Sequence, residues 1–348
     1  MLVAQPRILP DPAALTETAP GWRQQAERLA PFLGAVADRL SAQVAEFEPS
    51  IANCAQYALT AQGKQLRPIL VALSAEACGE WDDDHVTVAT IIEMVHLATL
   101  VHDDVMDEAV IRRNRPTMAV RWGNEVSVLL GDCLFAQALK MASGFPTPDI
   151  CRAVASATST VCSGEILQTQ RRRDFEVTRE EYLKVVTMKT AELFALSCEM
   201  GAWLSPGNPG QEKVLRQFGM DLGIAYQLYD DCVDLFGQEK VVGKSLGTDL
   251  AKGKLTLPVF IVMEQATGAE RAEIRDCVGN WKVEYLPRFQ EILGQYGALD
   301  QSRVAIDRYL ASARRGLAGL PNSRGRDGLA GLTLLLEQQI HTLGVVPA

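Results

Sequence analysis

The sequence predicts an all-α protein, a single large helical bundle around a central apolar cavity. Three observations carry this. From Gly21 onward, apolar residues recur at the 3.6-residue period of a helix. Ala and Leu abound while aromatic residues make up only 6%, a bias towards helix formers. No alternating strand pattern of any length interrupts them, and long helices joined by short loops imply a bundle.

Each element has its own signal. Pro6, Pro10, Pro12 and Pro20 predict an extended or disordered segment over 1–20, with the helical domain covering 21–348. Helices are expected over about 22–47, 50–62, 67–78, 85–108, 124–143, 149–172, 178–203, 210–237 and 256–267, with more towards the C-terminus. Gly and Pro clusters place breaks from Gly144 to Pro148, Ser205 to Gly210, Gly237 to Gly253 and Pro321 to Gly328. The stretches 85–101 and 149–168 are apolar or small nearly all round, as in helices buried mid-bundle or lining a greasy cavity.

Composition excludes several classes. The net charge of −9 argues against nucleic acid as the main partner, and Arg171-Arg172-Arg173 reads as the closing turn of a helix. Eight Cys lack any C-x-x-C pair and read as reduced core residues of a cytoplasmic protein. The four His show no zinc spacing. No signal peptide is visible and no apolar run reaches membrane-spanning length, so a soluble protein is expected, with peripheral membrane contact still possible.

Two runs stand out: Asp103-Asp104-Val105-Met106-Asp107 and Asp230-Asp231-Cys232-Val233-Asp234. Both read D-D-x-x-D within apolar helical sequence. Helical spacing puts Asp103 over Asp107 and Asp230 over Asp234. Carboxylates that close repel unless cations lie between them, and all-oxygen ligands favour Mg²⁺, with Mn²⁺ also suited. The run Trp81-Asp82-Asp83-Asp84-His85 has similar charge but no third Asp at helical spacing; it reads as a loop or a helix start. Cations lie near the two runs in the sequence: Lys64 and Arg67, Arg112 and Arg113, Lys189, and Lys244 and Lys254 in a Gly-rich loop. Acid and base together suit a diphosphate, bridged through metal to carboxylate and gripped directly by Arg and Lys. An apolar bundle below implies a ligand with an anionic head and a long apolar tail.

The ordered motifs resemble those of the all-trans isoprenyl diphosphate synthases over nearly the whole chain. The resemblance rests on Gly63-Lys64-x-x-Arg67-Pro68, Glu93-x-x-His96, Arg112-Arg113-x-x-Pro116-Thr117, Gly131-Asp132 and Gly164-Glu165-x-x-Gln168. It continues through Lys189-Thr190, Gln227 before the second acidic run, Gly243-Lys244, and Gly247-x-Asp249-Leu250-x-x-Gly253-Lys254. Gln62 and Gln65 depart from the usual Gly and Arg, while Lys64 and Arg67 remain. The resemblance implies that Asp103, Asp104, Asp107, Asp230 and Asp234 hold Mg²⁺ on an allylic diphosphate, with Asp231 an outer partner. It implies that Arg112, Lys189 and Lys254, with Lys244 nearby, grip that group, and that Lys64, Arg67, His96 and Arg113 hold isopentenyl diphosphate. Thr190 and Gln227 would lend weak dipoles to the allylic cation. A homodimer is implied as well.

Product length should follow tunnel depth below Asp103. Ala98 and Thr99, one turn deeper, are small where short-chain family members carry an aromatic, and Cys151, Val154, Thr158 and Val161 are small or medium. The first acidic run also lacks the two-residue insertion of bacterial short-chain types. A long product, hexaprenyl to decaprenyl, is expected from a farnesyl or geranylgeranyl primer, with a short-chain synthase as the alternative. A terpene cyclase would need no isopentenyl site and usually carries a different second metal motif. A non-catalytic synthase subunit would tend to lack one of the acidic runs.

Overall fold

The computed structural model describes residues 20–60, 65–113, 115–206, 210–238 and 246–344. Most of the expected 1–20 segment lies outside them, as do Lys64 and Lys244. The order is α1 (Pro20–Ala45), α2 (Pro49–Leu59), α3 (Leu66–Cys78), α4 (Asp83–Met106), a hairpin of β1 (Ile111–Arg112) and β2 (Arg115–Pro116), α5 (Met118–Trp122), α6 (Asn124–Ala142) and α7 (Asp149–Gln170). Then come α8 (Arg179–Val186), a π-helical turn (Thr187–Ala191), α9 (Glu192–Trp203), α10 (Gln211–Phe236), α11 (Thr248–Ala251), α12 (Leu257–Gln265) and α13 (Gly268–Gly279). A 3₁₀ turn (Val283–Tyr285), α14 (Leu286–Gln295), α15 (Ala298–Leu317) and α16 (Arg324–Thr342) complete the chain.

The chain divides into two compact units. The first comprises Met1–Thr158, Leu193–Gly219 and Gly316–Leu332; the second comprises Ser159–Glu192, Met220–Arg315 and Thr333–Ala348. The boundary falls inside α7, α9, α10, α15 and α16 and not in loops, so no shift in composition marks it.

In the first unit, α4 packs against α1, α3 and α6. Leu29, Phe32, Leu33, Val36, Leu40 and Val44 form one stripe on α1 and are buried. Burying such side chains stabilises the fold by about 1.5–3 kcal/mol each. Asp82 caps α4, and His85 completes a capping box, so the acidic stretch at 81–85 is a helix start as the sequence suggests. By length and composition α4 could cross a membrane, which corrects the expectation that no run reaches that length; 67% of its apolar window is buried inside the protein. The hairpin is also absent from the sequence reading. Its strands are two residues each, too short for an alternation to register.

In the second unit, Tyr182, Phe260, Ile274, Phe289, Ile306 and Ile340 are among the buried apolar side chains. Capping boxes at Thr178/Glu181 and Thr267/Glu270 start α8 and α13. Arg314 on α15 grips both oxygens of Glu337 on α16, each at 2.9 Å.

Candidate active site

The first acidic run ends α4. Asp103 and Asp107 are half-buried, and the Asp107 N–H donates to the Asp103 carbonyl at 2.8 Å. Glu108 then takes a left-handed backbone (φ 48°) that stops the helix. No basic residue occupies the last turn of α4. Carboxylates at a helix C-terminus face the negative end of its dipole, so the run needs a cation from elsewhere. Asp104, expected as a metal ligand, also holds a cation of the protein. It is buried, and its Oδ1 accepts from Arg112 Nε at 2.7 Å. The hairpin makes this possible by folding Arg112 back on α4. It is held by Tyr57, whose hydroxyl donates to the Pro116 carbonyl at 2.9 Å, with Arg115 and Arg121 stacked 4.2 and 4.5 Å from the Tyr57 ring.

Arg67, Arg112 and Arg113 act on one turn of α4. Glu93 is buried there, and burial raises its pKa against the pull of Arg67 and Arg113. Its Oε2 has no hydrogen-bond partner among the described residues. His96, one turn on, is held neutral: burial first, then Arg67, Arg113 and Arg112, push its pKa well below 6.5. The Arg67 guanidinium lies 5.1 Å from the centre of the Phe194 ring. This setting carries excess positive charge and suits an anion. Ala98 is fully buried, and the Thr99 hydroxyl donates back to the His96 carbonyl at 2.7 Å. Gly131 explains part of the Gly131-Asp132 motif: a Cβ there would overlap His102 Nε2, which donates to the Val128 carbonyl at 2.9 Å. The missing side chain lets α4 and α6 close on each other.

In the second unit, the second acidic run is less uniform than its spacing suggests. Asp230 is half-buried, while Asp231 and Asp234 are buried. Asp234 accepts from the Thr248 N–H at 3.3 Å, the Thr248 hydroxyl at 2.7 Å and the Asp249 N–H at 3.1 Å. It therefore caps α11, whose own N-cap is Gly247 and has no side chain to do so. Asp234 was expected among the metal ligands. Spacing puts it on the face of Asp230, and its carboxylate is engaged by the start of α11. Asp231 accepts from the Tyr182 hydroxyl and from Gln227 Nε2 at 2.7 Å, and burial with the nearby Asp249 raises its pKa to about 8.

Lys189 and Thr190 sit in the π-helical turn, where the sequence predicts ordinary helix. Such a turn inserts a residue and turns the side chains that follow. A Cβ at Gly164 would lie 2.9 Å from the Lys189 nitrogen, so α7 presses its glycine against the bulge. Lys189 pairs with Glu165 and donates to Gln168 at 3.0 Å. Glu165 and Gln168 belong to the Gly164-Glu165-x-x-Gln168 motif, whose three-residue spacing puts them on one helix face. The Thr190 hydroxyl donates to Gln227 Oε1 at 2.8 Å. Lys254 is buried and lines a cavity of about 100 Å³ together with Gln168, Arg171, Lys184, Tyr182 and Phe260. Tyr182 was not foreseen, and nothing in the sequence marked it.

The donor chemistry fits a hard divalent cation. All candidate ligands are carboxylate oxygens, and α10, like α4, has no basic residue in its last turn. Among the described residues no three or more His, Cys, Asp or Glu side chains form a ready-made metal cage. Mg²⁺ typically takes one or two carboxylates and completes its shell with water and phosphate.

The polyprenyl synthetase family model matches residues 48–293. The all-trans-nonaprenyl-diphosphate synthase (geranyl-diphosphate specific) of Rhodobacter capsulatus is 35% identical over 292 residues, covering 84% of this chain and 90% of the relative. A short chain isoprenyl diphosphate synthase of Methanothermobacter thermautotrophicus is 31% identical over 310 residues, covering 87% and 95%. The crystal structure of a decaprenyl diphosphate synthase from Rhodobacter capsulatus superposes with a TM-score of 0.86 at 32% identity, over 91% of this chain and 99% of that one. The chain belongs to the polyprenyl synthetase family.

Proposed function

We propose that this protein is a Mg²⁺-dependent trans-prenyltransferase. It condenses isopentenyl diphosphate head-to-tail with an allylic diphosphate, farnesyl or geranylgeranyl, and repeats the addition to a long all-trans polyprenyl diphosphate. The observation that carries this is that each unit holds half-buried carboxylates (Asp103 and Asp107; Asp230) together with cationic side chains, Arg67, Arg112 and Arg113 in the first and Lys189 and Lys254 in the second.

Bound divalent cations would neutralise the charge that develops on the departing diphosphate. Asp103, Asp107 and Asp230 are the side chains that would hold them. Asp104 and Asp234, expected in the same set, also hold Arg112 and α11. Arg112, Lys189 and Lys254 steady the allylic diphosphate, and Arg67, Arg113 and His96 hold isopentenyl diphosphate. A neutral His96 donates one hydrogen bond without adding charge. Thr190 and Gln227 offer dipoles to the allylic cation and no strong nucleophile to trap it. The isopentenyl double bond attacks that cation, and the released diphosphate takes the proton.

Ala98 and Thr99 below Asp103 support a long product. The short chain relative supports a second reading, in which growth stops at geranylgeranyl. Mass spectrometry of the product from farnesyl diphosphate, labelled isopentenyl diphosphate and Mg²⁺ decides. Products of six or more units are expected; an end at geranylgeranyl overturns the long-chain reading, and no condensation at all overturns the enzyme.

Val128, Leu129 and Leu139 on α6, Val110 before the hairpin and Ile111 in it are exposed. Such an apolar face supports a homodimer. A cytoplasmic enzyme with this product would touch the membrane only at its surface, to release the tail.

A further inference from the structure

A hairpin as small as β1–β2 needs outside support. Its strands hold two residues each, with Ile111 paired to Pro116 and Arg112 to Arg115. Two such strands do not keep a shape in water by themselves. The backbone just after Arg112 is unfavourable as well. Arg113 takes φ 51°, the left-handed region, with a full side chain. A residue with a Cβ enters that region at a steric cost and stays there only when its surroundings impose it.

Those surroundings include a clamp from α2. Thr117 closes the base of the hairpin: its N–H donates to the Val110 carbonyl at 3.0 Å and its hydroxyl to the Ala109 carbonyl at 2.6 Å. β1 is tied to α4 through Arg112 and Asp104. β2 is tied to α2. The Tyr57 hydroxyl donates to the Pro116 carbonyl at 2.9 Å. The Arg115 guanidinium lies 4.2 Å over the Tyr57 ring, and its Nη1 donates to the Thr60 hydroxyl oxygen at 2.6 Å. Thr60 caps α2 and gives its own hydrogen to the Tyr57 carbonyl at 2.8 Å, which leaves lone pairs for Arg115. The Tyr57 ring is held in turn, edge-on to Trp122 at 5.0 Å and 4.5 Å from the Arg121 guanidinium. Packing of that kind restricts the ring and aims its hydroxyl at Pro116.

We propose that Tyr57 is a positioning residue for isopentenyl diphosphate: by fixing β2 against α2 it keeps Arg113 in its left-handed turn, and so presents the Arg113 guanidinium to that diphosphate. This rests on the reading that Arg113 binds isopentenyl diphosphate. The two neighbouring arginines are oriented by different means. Arg112 is set by its side chain, held on Asp104 at 2.7 Å. Arg113 is set by its backbone. When β2 loosens, Arg113 relaxes to a negative φ and its side chain turns with it, while Arg112 stays on α4. A failed clamp therefore shows on one substrate and not on the other.

Tyr57→Phe keeps the ring and its stacking and removes the hydrogen bond to Pro116. With farnesyl and isopentenyl diphosphates, KM for isopentenyl diphosphate should rise about fivefold, with kcat and the allylic KM within about twofold of wild type. The deciding comparison is the same substitution in an Arg113→Ala background. There is no guanidinium left to present, so Tyr57→Phe should raise that KM no further. A general loosening would raise it equally in both backgrounds, or raise the KM of both substrates alike, and either result overturns the proposal. If Arg113→Ala leaves the isopentenyl KM unchanged, the placement of Arg113 fails and takes the proposal with it. If Arg113→Ala raises that KM and Tyr57→Phe does not, the proposal alone falls. Should Tyr57→Phe not fold, Arg115→Met, which removes the stack on Tyr57 and the bond to Thr60, is expected to show the same rise and the same dependence on Arg113.

Discussion

Asp230→Asn and Asp234→Asn are one turn apart on α10 and are expected to fail in opposite ways. Asp234 is fully buried and accepts three hydrogen bonds from Thr248 and Asp249. Asn keeps one accepting oxygen and turns an NH₂ against donors on the other side. Hydrogen bonds to a charged group contribute about 1.5–3 kcal/mol, and a buried donor left unmade costs about 1–3 kcal/mol, so a loss of about 2–4 kcal/mol is expected. Unfolding entropy scales with chain length, and for a chain of this size the loss corresponds to about 3–6 °C in Tm. The Mg²⁺ concentration for half-maximal rate should stay near wild type, provided α11 refolds on the remaining oxygen. Asp230→Asn should leave Tm near wild type and raise that Mg²⁺ requirement by about tenfold or more, with kcat reduced. Thermal unfolding by circular dichroism and a Mg²⁺ titration of the condensation rate measure both. An Asp234→Asn protein with unchanged Tm and a raised Mg²⁺ requirement would refute the assignment of Asp234 to α11.

Ala98→Phe fills the buried position one turn below Asp103 and should shorten the product, read by mass spectrometry. Gly164→Val puts a Cβ 2.9 Å from the Lys189 nitrogen, so it should displace the π-helical turn and lower kcat more than Tm. Leu129→Arg on the exposed face of α6 should shift the species seen by light scattering from dimer to monomer. His96 makes a pH prediction. Its folded pKa lies well below 6.5, so below that pH the unfolded chain takes up a proton that the folded chain does not. Its contribution to stability therefore falls as pH drops from about 6.5, by at most about 1.4 kcal/mol per pH unit. Asp231, raised to about 8, acts in the opposite sense between pH 3.8 and 8. The His96 effect is thus read as wild type minus His96→Gln in urea unfolding at pH 7.5 and 5.5; no difference between the two pH values would count against a neutral His96.

Much of the site was legible because helical spacing is a local property. The positions of Asp103 and Asp107, the break after Asp107 and the Glu93-x-x-His96 turn all follow from a 3.6-residue period and a stop. Other features were not legible because they depend on what covers each face. Asp104 and Asp234 carry the same motif letter as their neighbours, yet one is folded under Arg112 by a two-residue hairpin and the other is closed by α11. The π-helical turn has no letter of its own in Lys189-Thr190; it is set where Gly164 admits the backbone of a neighbouring turn. Tyr182 is one apolar-faced residue among many until Asp231 meets its hydroxyl.

The sequence by itself determined the all-α class, the two acidic runs and the family. It could do so because those signals lie within a few residues of one another. Only the tertiary structure decided that Asp104 meets Arg112 and that Asp234 meets α11. Burial and hydrogen-bond partners come from residues far apart in the chain, and no local pattern of letters encodes them.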